Sequence, residues 1–255
     1  MSIDVFNRYE KKYLLDQATY EAIASRLCER MTLDVYNKEA GFYTISNLYF
    51  DTVDDTLIKK SLSKPIYKEK LRLRAYGVPD LDSRVFLEIK KKVDGLVNKR
   101  RTCMTLSEAY AFIETGHIPA KRPYHNSQVI REIAYFMELY DLKPATYIAY
   151  DRKALFAGDL RITFDTHIRS RREMLGLEYG DFGKPLLEPD IWLMEVKASS
   201  AFPLWFVKLL SEYKLNASSF SKYGKEYLTR DQQMKGEHMT CLSHYLIPQG
   251  QPLAH

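Results

Sequence analysis

Residues 68–77, KEKLRLRAYG, restrict what this chain can fold into more than any other stretch. Lys68, Lys70, Arg72, Arg74 and Tyr76 share one parity and Leu71, Leu73 and Ala75 share the other, which is the period of a strand with two unlike faces. The polar face is unusual because its four charges all have one sign.

The same alternation recurs along the chain. In RYEKKY, Arg8, Glu10 and Lys12 share a parity; in FLEIKKK, Glu88, Lys90 and Lys92 oppose Leu87 and Ile89; in VNKRRT, Lys99 and Arg101 align. Further on, LRITFD sets Arg161, Thr163 and Asp165 against Leu160, Ile162 and Phe164, WLMEVKA sets Glu195 and Lys197 against Met194 and Val196, and Arg152 lies in AYDRKAL. Strand-like segments fall near residues 6–14, 44–51, 66–77, 84–93, 97–104, 146–153, 159–166 and 191–198, enough to close a barrel. Four amphipathic helical segments lie between them: DQATYEAIASRLCERM, TLSEAYAFIETG with its Thr105 to Glu108 capping box, NSQVIREIAYFMELYDLKP, and FPLWFVKLLSEYKL with Pro203 in the first turn.

Two architectures satisfy this pattern. In one the apolar faces make the core and the charges are solvated, as in most antiparallel sheets. In the other the charged faces line a lumen and the apolar faces lie outside, under the helices, which need such a wall to lie on. The helices favour the second, an α+β fold built on an eight-stranded antiparallel β-barrel with a basic lumen.

Like charges about 6 Å apart at an effective dielectric of about 20 repel by roughly 3 kcal/mol, so an inward ring of Lys and Arg calls for an anion. A chain of phosphates suits it, because guanidinium forks match phosphate oxygens in pairs. A carboxylate among phosphates in turn calls for a divalent cation between them, and Glu195 is a candidate oxygen ligand for Mn²⁺ or Mg²⁺. Glu10, Glu88 and Asp165 suit metal ligation and internal ion pairing equally.

Other classes find little support. The net charge of +5 is too mild for generic nucleic-acid binding, and Cys28, Cys103 and Cys241 suggest neither a disulfide framework nor a zinc cluster. No signal peptide, apolar spanning segment, P-loop or G-x-G-x-x-G strand motif occurs, and the six histidines are scattered. No repeat or low-complexity linker divides the chain. One domain over residues 1–230 is expected, with a tail over 231–255 where periodicity fades and GQPLAH ends loose.

RYEKKY, LYFDT, LRLRAYG, FLEIKKK, KRR, YDRKALF, LRITFDT, MEVKA and FSKYGKEY occur in this order, and the chain from about Phe6 to Tyr227 resembles the VTC (vacuolar transporter chaperone) domain, a branch of the triphosphate tunnel metalloenzyme superfamily. The resemblance implies a basic tunnel and a polyphosphate polymerase that moves the γ-phosphoryl group of ATP onto a growing phosphate chain with a divalent metal. It implies that Lys12, Arg72, Arg74, Lys90, Arg152 and Arg161 carry the catalytic contacts and that Lys99 helps to bind triphosphate and product. Ser221 and Lys222 would contribute from a helix at the tunnel wall, and Glu195 would ligate the metal. Arg8, Lys70, Lys92, Arg101 and Lys197 complete the candidate substrate-binding set, and Glu10 is a second candidate metal ligand.

The resemblance has limits. Tunnel hydrolases typically carry Glu-x-Glu-x-Lys at the first strand, where this chain has Arg8-x-Glu10-x-Lys12, which argues against a generic triphosphatase. A hydrolase of triphosphate or nucleoside triphosphates and a non-catalytic polyphosphate-binding module are the alternatives. The expected partners are ATP and inorganic polyphosphate or triphosphate, with no nucleic acid. The expected location is cytoplasmic, with any membrane attachment coming from a separate protein.

Overall fold

The alternating segments form strands and the periodic ones form helices. The computed structural model describes the backbone of residues 9–37, 41–94 and 96–245, with side chains as far as Lys235. The strands are β1 (Tyr9–Leu15), β2 (Thr32–Leu33), β3 (Tyr43–Asp51), β4 (Tyr67–Tyr76), β5 (Arg84–Val93), β6 (Leu96–Thr105), β7 (Lys143–Ala157), β8 (Leu160–Arg171), β9 (Lys184–Pro185) and β10 (Trp192–Ala198). The helices are α1 (Gln17–Cys28), α2 (Thr56–Leu62), α3 (Leu106–Thr115), α4 (Ser127–Leu139), α5 (Leu204–Glu212) and α6 (Lys222–Tyr245).

All described strands join one antiparallel sheet in the order β1-β10-β8-β7-β3-β4-β5-β6, with β2 added to β7 and β9 to β8. This corrects the expected eight-stranded barrel in two respects: the sheet has ten strands, and among the described residues its path is open between β1 and β6. The free edge of β1 is taken by the segment before α6. Ser218 N donates to the Lys12 carbonyl at 2.7 Å, and Lys12 Nζ donates to the Phe220 carbonyl at 3.0 Å. A strand edge already occupied in this way is closed to further pairing at that point.

The sheet nevertheless curls with its apolar faces outward. Leu71, Leu73, Leu87 and Ile89 pack beneath Phe112 of α3 and Ile133 and Phe136 of α4. Ile162, Phe164, Met194 and Val196 pack beneath Ile23 and Leu27 of α1 and Phe206 of α5. Each fully buried side chain of this kind contributes roughly 1.5–3 kcal/mol, so helices and sheet stabilise one another. On the outer face beneath α4, charge is paired: Lys91 meets Glu132 at 2.9 Å and Arg100 meets it at 3.1 Å.

Local signals set the helix ends. Thr105 and Glu108 form a reciprocal capping box, and Gly116 closes α3 in the left-handed region at φ +72°. Asp16 accepts from Thr19 N at the start of α1. The short α2 was not expected from the sequence; the buried Asp51 carboxylate holds its start, accepting from Leu57 N, Ile58 N and the Tyr223 hydroxyl. Helix α6 continues to Tyr245, past the point near Arg230 where the sequence pattern fades, and GQPLAH lies outside the described residues. Among the described residues no helix is long and apolar enough to cross a membrane.

Candidate functional site

The cationic parity of β4 faces the concave side of the sheet. Pairing sets Arg72 opposite Glu88 and Tyr49, and Arg74 opposite Asn47 and Phe86. Glu88, only 1% exposed, is the hub: it accepts from Arg72 Nε at 2.7 Å, lies 2.7 Å from Lys99 Nζ, and is 3.9 Å from Arg74 Nε. Burial opposes ionisation of Glu88, but Arg72, Arg74 and Lys99 outweigh it and hold its carboxyl far below the usual range. Arg74 also donates to Asn47 Oδ1 at 2.9 Å and to the Tyr150 hydroxyl at 3.1 Å, and Arg72 donates to the Tyr49 hydroxyl at 3.2 Å.

A second hub lies across the concavity. Asp165, fully buried, accepts from Arg152 at 2.6 and 2.8 Å and from Lys222 Nζ at 2.5 Å. Lys222, at the start of α6, also lies 4.2 Å above the Tyr150 ring. Burial would raise the Tyr150 phenol, yet Arg152, Arg74 and Lys222 pull it down to about 8. The pairing register sets Arg152 beside Asp165 and Glu195 beside Lys12.

Glu195 and Glu10 share two lysines. Glu195 lies 3.3 Å from Lys12 and 2.9 Å from Lys197, while Glu10 lies 3.4 Å from Lys12 and 3.7 Å from Lys197. Burial opposes the Glu195 charge, but Lys197, Lys12 and Arg152 together hold its carboxyl well below the ordinary range. Among the described residues no three His, Cys, Asp or Glu side chains cluster as a metal centre. A divalent ion here would have at most these two carboxylates and would need substrate oxygens to complete its shell, a donor set that suits Mg²⁺ or Mn²⁺ with phosphates.

Three lysines of the predicted set have no such partner. Among the described residues, Lys70, Lys90 and Lys92 make no ion pair with a carboxylate. Burial pushes the Lys70 ammonium down to about 8, helped by Lys90 and opposed by Tyr49. Burial also lowers Lys90, opposed by Glu10 and reinforced by Lys12, Arg72 and Lys197. Strands β1 and β5 are far apart along the pairing path, so this mutual influence of Lys12 and Lys90 shows how tightly the sheet curls.

The sequence-derived set is therefore brought together to different degrees. Lys12, Lys70, Arg72, Arg74, Lys90, Arg152, Lys197, Lys222, Glu10 and Glu195 share the concave wall, and Lys99 reaches it from exposed β6. Arg101 is exposed and stacks on Phe86 at 4.5 Å. Lys92 lines a cavity at one rim with Lys68 and Lys64. Arg161 sits at the other end, 3.7 Å from Asp34 and over the Phe156 ring. Ser221 is exposed and accepts from Gly224 N at the start of α6, and Arg8 lies outside the described residues. Asn47, Tyr49 and Tyr150 were missed because neutral side chains on β3 and β7 give no charge alternation; their only signal was placement on the same faces as the arginines they hold.

The VTC domain model matches residues 7–229. Among solved structures, the chain is similar to a proposed adenylate cyclase from Bacillus halodurans, with 17% identity over 83% of this chain and 92% of that one and a TM-score of 0.53. It is also similar to a proposed adenylyl cyclase from Hippeastrum, described as having a dominant triphosphatase activity, with 16% identity over 84% and 92% of the two chains and a TM-score of 0.50. At these identities the likeness is one of fold. A search of curated protein sequences gave no match.

Proposed function

The chain belongs to the VTC domain family, and from that premise we propose that it is a polyphosphate polymerase that transfers the γ-phosphoryl group of ATP to a growing inorganic polyphosphate chain. The observation that carries this reading is the surplus of cations on the concave wall. Four carboxylates, Glu10, Glu88, Asp165 and Glu195, are already engaged by Lys12, Arg72, Lys99, Arg152, Lys197 and Lys222. Lys70 and Lys90 are half-buried and, among the described residues, ion-paired to no carboxylate; Glu10 offsets only part of the repulsion that Lys12, Arg72 and Lys197 exert on Lys90. A bound chain of phosphates would relieve that repulsion along the whole wall.

The proposed chemistry needs no protein nucleophile. A terminal oxygen of the phosphate chain attacks the γ-phosphorus, the bond from that phosphorus to the β–γ bridging oxygen breaks, and ADP leaves with the electron pair. What this asks of the protein is in-line positioning and stabilisation of spread negative charge. Arg72, Arg74 and Arg152 suit this role because Glu88, Asn47, Tyr150 and Asp165 already fix their guanidinium planes. Lys12, Lys70 and Lys90 would track the polyanion. A divalent ion held by Glu195 and Glu10 together with phosphate oxygens would neutralise further charge on the transferring group.

Hydrolysis is the second reading, favoured by the fold shared with the Hippeastrum protein described as a triphosphatase. Gel analysis of products from the purified chain with ATP and Mn²⁺ separates the two: long-chain polyphosphate supports polymerisation, and free phosphate alone supports hydrolysis. Retention of added polyphosphate with neither product would reduce the protein to a binding module.

A further inference from the structure

The concave face changes chemistry at one end. On β4 the inward parity that begins with Lys68 and runs through Arg74 ends on Tyr76, and on β5 the same parity passes from Lys90 and Glu88 to Phe86 before closing on Arg84, which lies over the Tyr124 ring. The Tyr76 ring meets Phe86 edge-on with 6.0 Å between centroids and lies 6.0 Å from Tyr43. Tyr36 faces Tyr76 nearly in parallel, at 14° and 6.2 Å. With Phe42, these tyrosines line a cavity of about 290 Å³. The opposite rim, with Lys64, Lys68 and Lys92, is basic instead.

Tyr36 is held in place. Its turn is tied to β7, where Asp34 N and Asn37 Nδ2 both donate to the Ala154 carbonyl at 2.9 and 3.2 Å. Tyr43 joins the aromatic end to the cationic wall, because the pairing register sets it opposite Arg152. Tyr76 is half exposed and Tyr36 more so, and unlike rings exposed singly they are contiguous with Tyr43 and Phe42 around one cavity.

A linear polyphosphate offers such rings nothing, since it is anionic throughout. A nucleoside triphosphate has an aromatic head and a polyanionic tail, the two chemistries that adjoin here. We propose that this aromatic mouth holds the nucleobase of the donor nucleotide by stacking on Tyr76 and Tyr36, while its triphosphate lies on the adjoining cations. The proposal rests on the reading of the concave wall as a triphosphate site. It adds that the protein tells a nucleotide from an inorganic phosphate chain at this end.

The test is calorimetric titration of the full chain with ATP and, separately, with inorganic tripolyphosphate. Tyr76→Ala should weaken ATP by about 5-fold to about 150-fold, the range spanned by loss of one aromatic–base stack, and leave tripolyphosphate affinity unchanged. Tyr76→Phe, which keeps the ring, should retain ATP affinity. Tyr36→Ala, in an exposed turn where loss of folding is not at issue, should repeat the selective loss. Unchanged ATP binding in both alanine variants, or parallel losses for both ligands, would overturn the nucleobase assignment while leaving the triphosphate site standing. Failure of the unsubstituted chain to bind either ligand would overturn both.

Discussion

Glu88→Gln tests the physical basis of the site with almost no change in side-chain volume. The carboxylate is 1% exposed, with two cations at 2.7 Å and a third at 3.9 Å. At an effective dielectric of about 20 each of the two shorter contacts is a gross attraction of roughly 6 kcal/mol, most of it offset by desolvation. Breaking a buried pair of this kind costs about 3–5 kcal/mol net, because the partner charges stay buried and unpaired. At about 2–4 °C per kcal/mol for a chain of this size, Tm should fall by about 6–20 °C. The same argument fixes a second readout. An anion on the wall replaces the missing charge, so tripolyphosphate should raise Tm by more in the variant than in the unsubstituted protein, where ligand at about 100 times Kd adds about 2.7 kcal/mol. Scanning fluorimetry with and without tripolyphosphate reads both quantities. A variant as stable as its parent, or a destabilised one that tripolyphosphate rescues no better than its parent, would refute the view that Glu88 restrains an otherwise repulsive wall.

The pH dependence should have opposite signs for the empty protein and for binding. Lys70, brought down to about 8 by burial, sheds its proton in the folded state before it does so in the unfolded chain; the unfolded state then binds more protons, so stability of the ligand-free protein should rise with pH between about 8 and 10.5. Tripolyphosphate affinity should fall over the same range as that cation is lost, and calorimetry at several pH values checks it; affinity that holds constant through pH 9 would remove Lys70 from the anion site. Arg74→Ala should stay folded by circular dichroism but bind tripolyphosphate about 10- to 150-fold more weakly, the loss of one charge-assisted contact worth roughly 1.5–3 kcal/mol. Glu195→Gln should raise the Mn²⁺ concentration needed for half-maximal activity by at least the 10- to 100-fold that loss of an outer-shell partner costs, and an unchanged requirement would remove Glu195 from the metal set. Lys59→Ala, at an exposed position on α2, should alter neither stability nor activity.

Much of this molecule was legible one segment at a time. The KEKLRLRAYG alternation, the capping box at Thr105 and the stop at Gly116 reappear as β4 and the two ends of α3, because strand period and helix caps are local properties of the backbone and its nearest side chains. The two-residue strands β2 and β9 could not be read, since so short a run has no period and exists only where a neighbouring edge pairs with it. Glu88 and Asp165 were ambiguous between metal ligation and ion pairing until the register set them beside Arg72 and Arg152.

The sequence by itself determined that each strand has an apolar face and an ionic one, and that helices enough to cover the apolar faces lie between them. The covering helices favoured turning the ionic faces inward, as the structure has them, but the sequence could not determine how far the sheet closes or which neutral groups hold the arginines. Those depend on residues far apart in the chain. Ser218 takes the edge of Lys12, Glu195 faces Lys12, and Tyr150 reaches Arg74, contacts that only the pairing of distant strands and the packing of α6 bring into range. Charge repulsion between cations on separate strands acts only once the strands pair, as for Lys70 and Lys90, or the sheet curls, as for Lys12 and Lys90, so no single segment records it.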